Sequence, residues 1–306
     1  MTRLLVVGAG GMLGRDLLEV LNGPFADDGR FEVTGLDRAG LDVTDPDAVH
    51  AAVARTRPDV VVNCAAWTAV DDAETHEGPA FAVNAVGPAN LARACATSGA
   101  RLVHISTDYV FAGDATTPYP EDAPIAPRSA YGRTKAAGEW AVRAYLPDRH
   151  TILRTAWLYG AHGPNFVATM ARLEATRDTV DVVDDQTGQP TWTHDVARQI
   201  AVVVQAGPAD SAGSAAVGVG MPLGTLHATS SGATTWYHLA RAVFELLGAD
   251  PDRVHPTTSA AFVRPAPRPA WSVLGHQRWA GTGIAPIRDW REALTAAIPA
   301  LMLARA

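Results

Sequence analysis

The sequence predicts an α/β protein: a doubly wound parallel sheet followed by a smaller α+β domain. Three observations carry that expectation. Five short apolar runs, at 3–7, 32–36, 59–63, 101–105 and 151–154, alternate with segments of helical periodicity across the first 160 residues. A glycine-rich turn, Gly8-Ala9-Gly10-Gly11-Met12-Leu13-Gly14, stands between the first run and the first helix. Beyond Gly160 the alternation gives way to shorter, irregular pieces. The Rossmann-type domain is therefore expected over 1–160, with 193–228 returning to it, and the second domain over 161–192 and 229–306.

The first strand, 3–7, runs straight into Gly8-x-x-Gly11-x-x-Gly14, which opens a helix through Leu17, Leu18 and Leu21. Such a turn lets the backbone approach a pyrophosphate at a helix N-terminus, so Gly8, Gly11, Met12, Leu13 and Gly14 are expected dinucleotide contacts. The turn alone is a weak signal; its place between strand and helix gives it weight. The second strand ends at Asp37-Arg38. A carboxylate there takes ribose hydroxyls and an arginine takes a 2′-phosphate, so NADPH and NADH both stay open, with NADPH modestly preferred. Asp42 and Val43 follow at the expected adenine edge, and Asp45-Pro46 reads as an N-cap with proline at the first helical position.

The third strand, 59–63, is apolar on both faces and leads into Cys64-Ala65-Ala66, where Ala65 and Ala66 are small enough for a cofactor to lie against the backbone. A helix is expected over 79–97. Its Asn84 reads either as a solvent-facing or capping residue or as a cofactor contact. The fourth strand ends at Ser106-Thr107-Asp108-Tyr109-Val110-Phe111, placing hydroxyl and carboxylate groups where open α/β sheets bind ligands. Past the fifth strand, helices are expected at 165–177, 193–204 and 235–247, and strands at 180–183 and 224–228. The Gly/Ala/Ser/Pro-rich stretch 206–224 reads as a long loop. Arg264-Pro265-Ala266-Pro267-Arg268-Pro269 reads as a stiff loop whose arginines suit a diphosphate, or as plain surface.

A net charge of −7 without a basic block argues against nucleic acid and anionic membrane as partners. The two cysteines, Cys64 and Cys95, offer neither a disulfide framework nor a metal spacing, so a cytoplasmic setting is expected. The N-terminus shows no signal peptide, and no apolar run is long enough to span a bilayer. A monomer and a homodimer are both compatible with these residues.

Of 25 basic residues, 24 are arginine, and Lys135 is the single lysine. Arginine replaces lysine readily on a solvated surface, but not where a compact ammonium must meet one oxygen. Tyr131 stands four residues earlier, one helical turn away on the same face. A phenol titrates near pH 10, and a neighbouring ammonium is expected to bring it toward the range of general acid–base catalysis. A solvated lysine beside a packed tyrosine is the plainer alternative, and the upstream motifs weigh against it.

With the glycine turn, Ser106-Thr107 and Tyr131-x-x-x-Lys135 in this order, the chain resembles an extended short-chain dehydrogenase/reductase. Within that superfamily it is similar to the dTDP-4-dehydrorhamnose reductases over nearly its whole length. Tyr-x-x-x-Lys is common to the superfamily, whereas Ser106-Thr107-Asp108-Tyr109-Val110-Phe111 and Asp185-Gln186-Thr187-Gly188-Gln189-Pro190-Thr191 are far more specific. The resemblance implies that Thr107, Tyr131 and Lys135 form the catalytic triad, with Asn84 near the helix that supports it. It also implies that Val70, Thr107, Asp108, Tyr109, Val110 and Trp157 surround the sugar and that Arg268 holds the diphosphate of a dTDP-sugar. No metal is required. Some relatives dimerise through glutamate-bound metal, but the C-terminal segment offers only Glu292, so no metal site is carried over. A dehydratase is disfavoured because Tyr109 stands where a second carboxylate would be needed. A reductase of a related keto-deoxysugar, such as the streptose precursor, stays open. So does a non-catalytic subunit like the regulatory partner of methionine adenosyltransferase, although the retained lysine argues against it.

Overall fold

Strands that are apolar on both faces have no side to show to water, so they pair in parallel beneath helices on both faces. A computed structural model of the chain describes residues 1–23, 30–206 and 220–303. In chain order come β1 (Thr2–Val7), α1 (Met12–Asn22), β2 (Phe31–Leu36), α2 (Pro46–Thr56), β3 (Val60–Asn63) and α3 (Glu77–Phe81). A π-helical turn over Ala82–Val86 leads into α4 (Gly87–Ser98), followed by β4 (Arg101–Thr107), α5 (Ala130–Tyr145) and β5 (His150–Thr155). The remainder contributes α6 (Phe166–Glu174), α7 (Thr193–Gln205), β6 (Gly224–His227), α8 (Trp236–Leu246) and α9 (Trp290–Leu303).

One six-stranded sheet runs in the order β6-β5-β4-β3-β1-β2, with every neighbour parallel. The chain leaves β1 toward β2 on one side and returns to β3 on the other. The crevice outside the C-terminal ends of β1 and β3 is therefore the topological switch point where such sheets bind ligands. Leu17, Leu21, Val196, Ile200 and Trp279 cover one face. Val49, Val53, Leu91, Cys95 and Val142 cover the other. A separate core joins α6, α8 and α9 through Val167, Met170, Leu239, Phe244, Leu294 and Ile298.

Local chemistry sets several boundaries. Asp45 caps α2 by accepting from the amides of Asp47 and Ala48, and Ser129 caps α5 by accepting from the Gly132 amide. The helix expected over 79–97 differs from the one observed: it starts at Glu77 and is interrupted by the π turn. The turn swings Asn84 inward, where its carbonyl oxygen accepts from the Trp67 amide at 2.8 Å and its amide nitrogen donates to Trp67 O and Thr134 Oγ1 at 3.0 Å each. The stretch expected to be a long loop, 206–224, lies largely outside the described residues. Among those described, no helix is long and apolar enough to cross a membrane.

Candidate active site

The first strand has to turn within one residue to clear its neighbour, and Gly8 does this at φ +79°. A Cβ at Gly8 would lie 2.5 Å from the Ala65 nitrogen, and one at Gly14 would lie 2.3 Å from Gly8 O. Only glycine fits either place. Gly11 precedes α1 without a side-chain cap, so the amides of the first turn face the crevice with no competing side chain. This cradle fits the pyrophosphate of a nicotinamide dinucleotide.

Next to it opens a cavity of about 440 Å³, bounded by Gly11–Gly14, Ala66, Val70, Thr107–Tyr109, Tyr131, Lys135 and Trp157. Three elements meet there. β4 ends at Thr107, whose hydroxyl donates to Asp108 Oδ1 at 2.9 Å and accepts from the Tyr109 amide at 3.3 Å. α5 brings the Tyr131 phenol beside the Thr107 hydroxyl and packs it edge-on against Tyr109. One turn on, the buried Lys135 donates from Nζ to Ile105 O at 2.7 Å. Below them, Glu139 accepts from Arg154 Nε at 2.9 Å and from Arg154 Nη2 at 2.8 Å. Ser106 Oγ donates to the same carboxylate at 2.6 Å, which locks α5 onto β4 and β5.

The electrostatics depart from expectation at Tyr131. Burial dominates, so the phenol is pushed up rather than brought down, and Thr107 is the group that favours the phenolate. Lys135 is itself pulled down to about 8 by burial, partly offset by Glu139. The ammonium is aimed along the strand end at Ile105 O, and so acts on the phenol less than the helical spacing alone suggests.

Two of the expected contacts lie behind the cavity wall. Asn84 is fully buried, with its amide committed to Trp67 and Thr134, so it braces α5 from behind and does not border the cavity. Val110 is also fully buried, because the short turn after Thr107 sends it into a cluster with Phe111, Ala136 and Leu274 while Asp108 and Tyr109 face the cavity. At the expected adenine edge, Asp37 Oδ1 accepts from the amides of Ala39 and Gly40 at 3.0 Å each. Arg38 is exposed beside it. Asp42 is held below the usual carboxylate range by the Thr44 amide and hydroxyl, and Val43 is buried with its carbonyl accepting from Asn90.

A second cavity of about 290 Å³ shares Tyr109 and Trp157 with the first and is bordered by Phe166, Trp236, Arg264 and Arg268. Trp157 stacks on Trp236 with ring centroids 3.6 Å apart. Arg268 pairs with Asp71 at 2.9 Å, and Arg264 approaches the same carboxylate at 3.7 Å. Trp236, Asp71, Gly188 and Ser272 were given no role by the sequence reading. Gly188 lies inside the Asp185–Thr191 string; the others carry no signal of their own.

Comparison with known proteins now decides the family. A model described as the RmlD substrate binding domain matches residues 1–303. The chain belongs to the dTDP-4-dehydrorhamnose reductase family. It is 56% identical to a dTDP-4-dehydrorhamnose reductase of Streptomyces griseus, covering 98% of this chain and 94% of that one. It is 50% identical to a dTDP-4-keto-6-deoxy-D-glucose reductase of Streptomyces niveus, covering 98% and 97%. Among solved structures, a dTDP-4-dehydrorhamnose reductase of Clostridium acetobutylicum superposes with a TM-score of 0.88 at 41% identity, over 98% of this chain and 99% of that one. One from Bacillus anthracis, solved in complex with NADP, gives 0.87 at 34% identity, over 97% and 99%. As a member of this family the chain is an NAD(P)H-dependent oxidoreductase.

Proposed function

We propose that the chain reduces the C4 ketone of dTDP-4-dehydrorhamnose to give dTDP-L-rhamnose, with NADPH as preferred cofactor and NADH as a second choice. The observation that carries this reading is the meeting of Thr107, Tyr131 and Lys135 in one cavity, between a dinucleotide cradle and a second cavity bordered by Arg268. Relatives acting on two different dTDP-4-keto sugars support the coarser class, reduction of a dTDP-linked 4-keto-6-deoxy sugar.

A bound nicotinamide dinucleotide supplies the hydride. Tyr131 supplies the proton: burial keeps its phenol protonated at neutral pH, which is what a donor to a developing alkoxide needs. Thr107 donates a hydrogen bond to the same oxygen and stabilises its growing charge. Lys135, still mostly charged at neutral pH, holds the nicotinamide ribose and places a positive charge at the C-terminal edge of β4. Val70, Asp108, Tyr109 and Trp157 enclose the sugar. Segments 161–192 and 229–306 form the nucleotide-sugar domain, with Arg268 at the diphosphate.

The test is oxidation of NADPH by the purified chain, without partner, on dTDP-4-dehydrorhamnose and on dTDP-4-keto-6-deoxyglucose, with the product identified by NMR. Faster turnover of the first sugar is expected. Preference for the second would move the assignment to the Streptomyces niveus type. Oxidation with neither would overturn the catalytic reading in favour of a binding subunit.

A further inference from the structure

Asp108 stands between β4 and the cavity with one carboxylate oxygen engaged and the other free. Oδ1 accepts from the Thr107 hydroxyl at 2.9 Å. Oδ2 is buried and completes no hydrogen bond, and Ser272 Oγ, from the loop behind Trp271, comes close enough to act on the carboxyl without completing one either. The residue as a whole is only 3% exposed. The groups acting on Asp108 are hydroxyls and backbone amides, with Tyr131 facing it from α5, Tyr109 from its own turn and Ser272 from the loop. None of them carries a standing charge at neutral pH.

Glu139, equally buried, makes the contrast. Arg154 holds it below the usual carboxylate range, as a buried ion must be held. Asp108 receives no such cation, and burial pushes it up to about 6. Those surroundings shift the carboxyl toward its neutral form, so it takes up a proton from water, and passes it on, far more readily than an exposed aspartate.

We propose that Asp108 is the relay that returns a proton to Tyr131 through the Thr107 hydroxyl after each reduction, with Ser272 as the positioning residue beside its outer oxygen. This rests on reading the chain as a keto-sugar reductase. Each turnover consumes one hydride, from the nicotinamide, and one proton. The Tyr131 O–H bond breaks as the O–H bond of the product alcohol forms. The phenolate then takes the Thr107 hydroxyl proton, and Asp108, protonated from water at Oδ1, replaces it by donating back along the same 2.9 Å contact. Asp108 regains a proton from water when product leaves and the cavity opens. The transfer runs downhill, because a phenolate binds a proton far more tightly than a carboxylate does.

The test uses Asp108→Asn in the full chain, with NADPH and a dTDP-4-keto-6-deoxy sugar, followed by rapid mixing. Tyr131 begins with its own proton, so at saturating sugar the first turnover is expected to outrun the later ones, whatever the lost Asp108 sugar contact costs both. Later turnovers are expected to be slower by on the order of a hundredfold, within the usual reach of a proton-transfer group. A burst of one equivalent followed by a slow phase is the predicted trace, and Asp108→Glu should restore part of the slow phase. Equal loss in both phases would overturn the proposal and leave Asp108 a sugar contact only.

An infrared readout is independent of turnover. The wild-type spectrum should hold a protonated carboxyl band that fades as pH rises through about 6, is missing in Asp108→Asn and shifts in Ser272→Ala. If Asp108→Asn does not fold, the wild type and Ser272→Ala decide. A wild-type spectrum without that band overturns the proposal. A wild type that turns over neither sugar overturns the functional reading, a result separate from either.

Discussion

Trp157 is one of two non-glycine residues with positive φ among those described, at +46°. A left-handed indole residue costs about 1–3 kcal/mol and persists only where its surroundings fix it. They do so here: Trp236 stacks on the ring, and Gly188 against it has no room for a Cβ, which would lie 2.5 Å from the Trp157 ring and 2.8 Å from Ser272 Oγ. Gly188→Ala should therefore push Trp157 out of the wall shared by the two cavities. Overpacking of this kind costs roughly 1–3 kcal/mol, so dTDP-sugar binding should weaken by roughly five- to a hundredfold, with NADPH binding unchanged. Calorimetric titration with each ligand checks this, and an equal loss for both would place Trp157 outside the sugar pocket. The family resemblance points to Trp157 as a sugar contact. The sequence could not show the strain, which comes from the contact with Gly188 rather than from anything local.

The elements of the sheet were readable because parallel strands leave an unbroken apolar signature, and because Asp45, Asn165 and Thr235 mark helix starts by their own chemistry. The π turn was not readable. It puts one extra residue into a helix that packs tightly on α5, where a Cβ at Gly138 would lie 2.2 Å from Asn84 O, and no periodicity announces such a contact. Arg268 belongs to this scale too, since the loop that carries it is set by Asp71, which accepts from the Ala266 amide at 3.2 Å and pairs with the guanidinium. Arg268→Ala should weaken dTDP-sugar binding by roughly ten- to a hundredfold, the range of a charge-assisted bond, and leave NADPH affinity in place. A matching loss of NADPH affinity would put this loop at the cofactor instead.

For the whole molecule, acid stability follows from buried imidazoles. His227 is held down to about 3 by burial and by Arg154, and His276 to about 4 by burial. Below the usual imidazole value of 6.5 the unfolded chain binds protons on these rings that the folded chain does not, so stability falls as pH drops through that window. Asp108 works in the opposite sense: its folded value, about 6, lies above the ordinary 3.8, so its contribution is present at low pH and lost as pH rises through 6. His104 and His150 are held down by burial as well, and Asp16 is raised by burial like Asp108, so four imidazoles against two carboxyls predict net acid loss. His227→Gln should flatten the fall in melting temperature between neutral pH and about pH 4 relative to wild type. A steeper fall in the variant would contradict this assignment.

The central claim is that Lys135 and Tyr131 act as a catalytic pair, and turnover against pH, with NADPH affinity measured in parallel, tests it most directly. Lys135 is nearly buried with Nζ on Ile105 O, a place the arginine fork does not fit. Wild-type turnover should fall as pH rises through about 8, where the ammonium loses its proton. Lys135→Arg and Lys135→Met should be slow at every pH, by on the order of a hundredfold or more. Tyr131→Phe should bind NADPH and not turn over. An active Lys135→Arg enzyme with the wild-type profile would contradict the account, because the compact ammonium would then have no part in the chemistry.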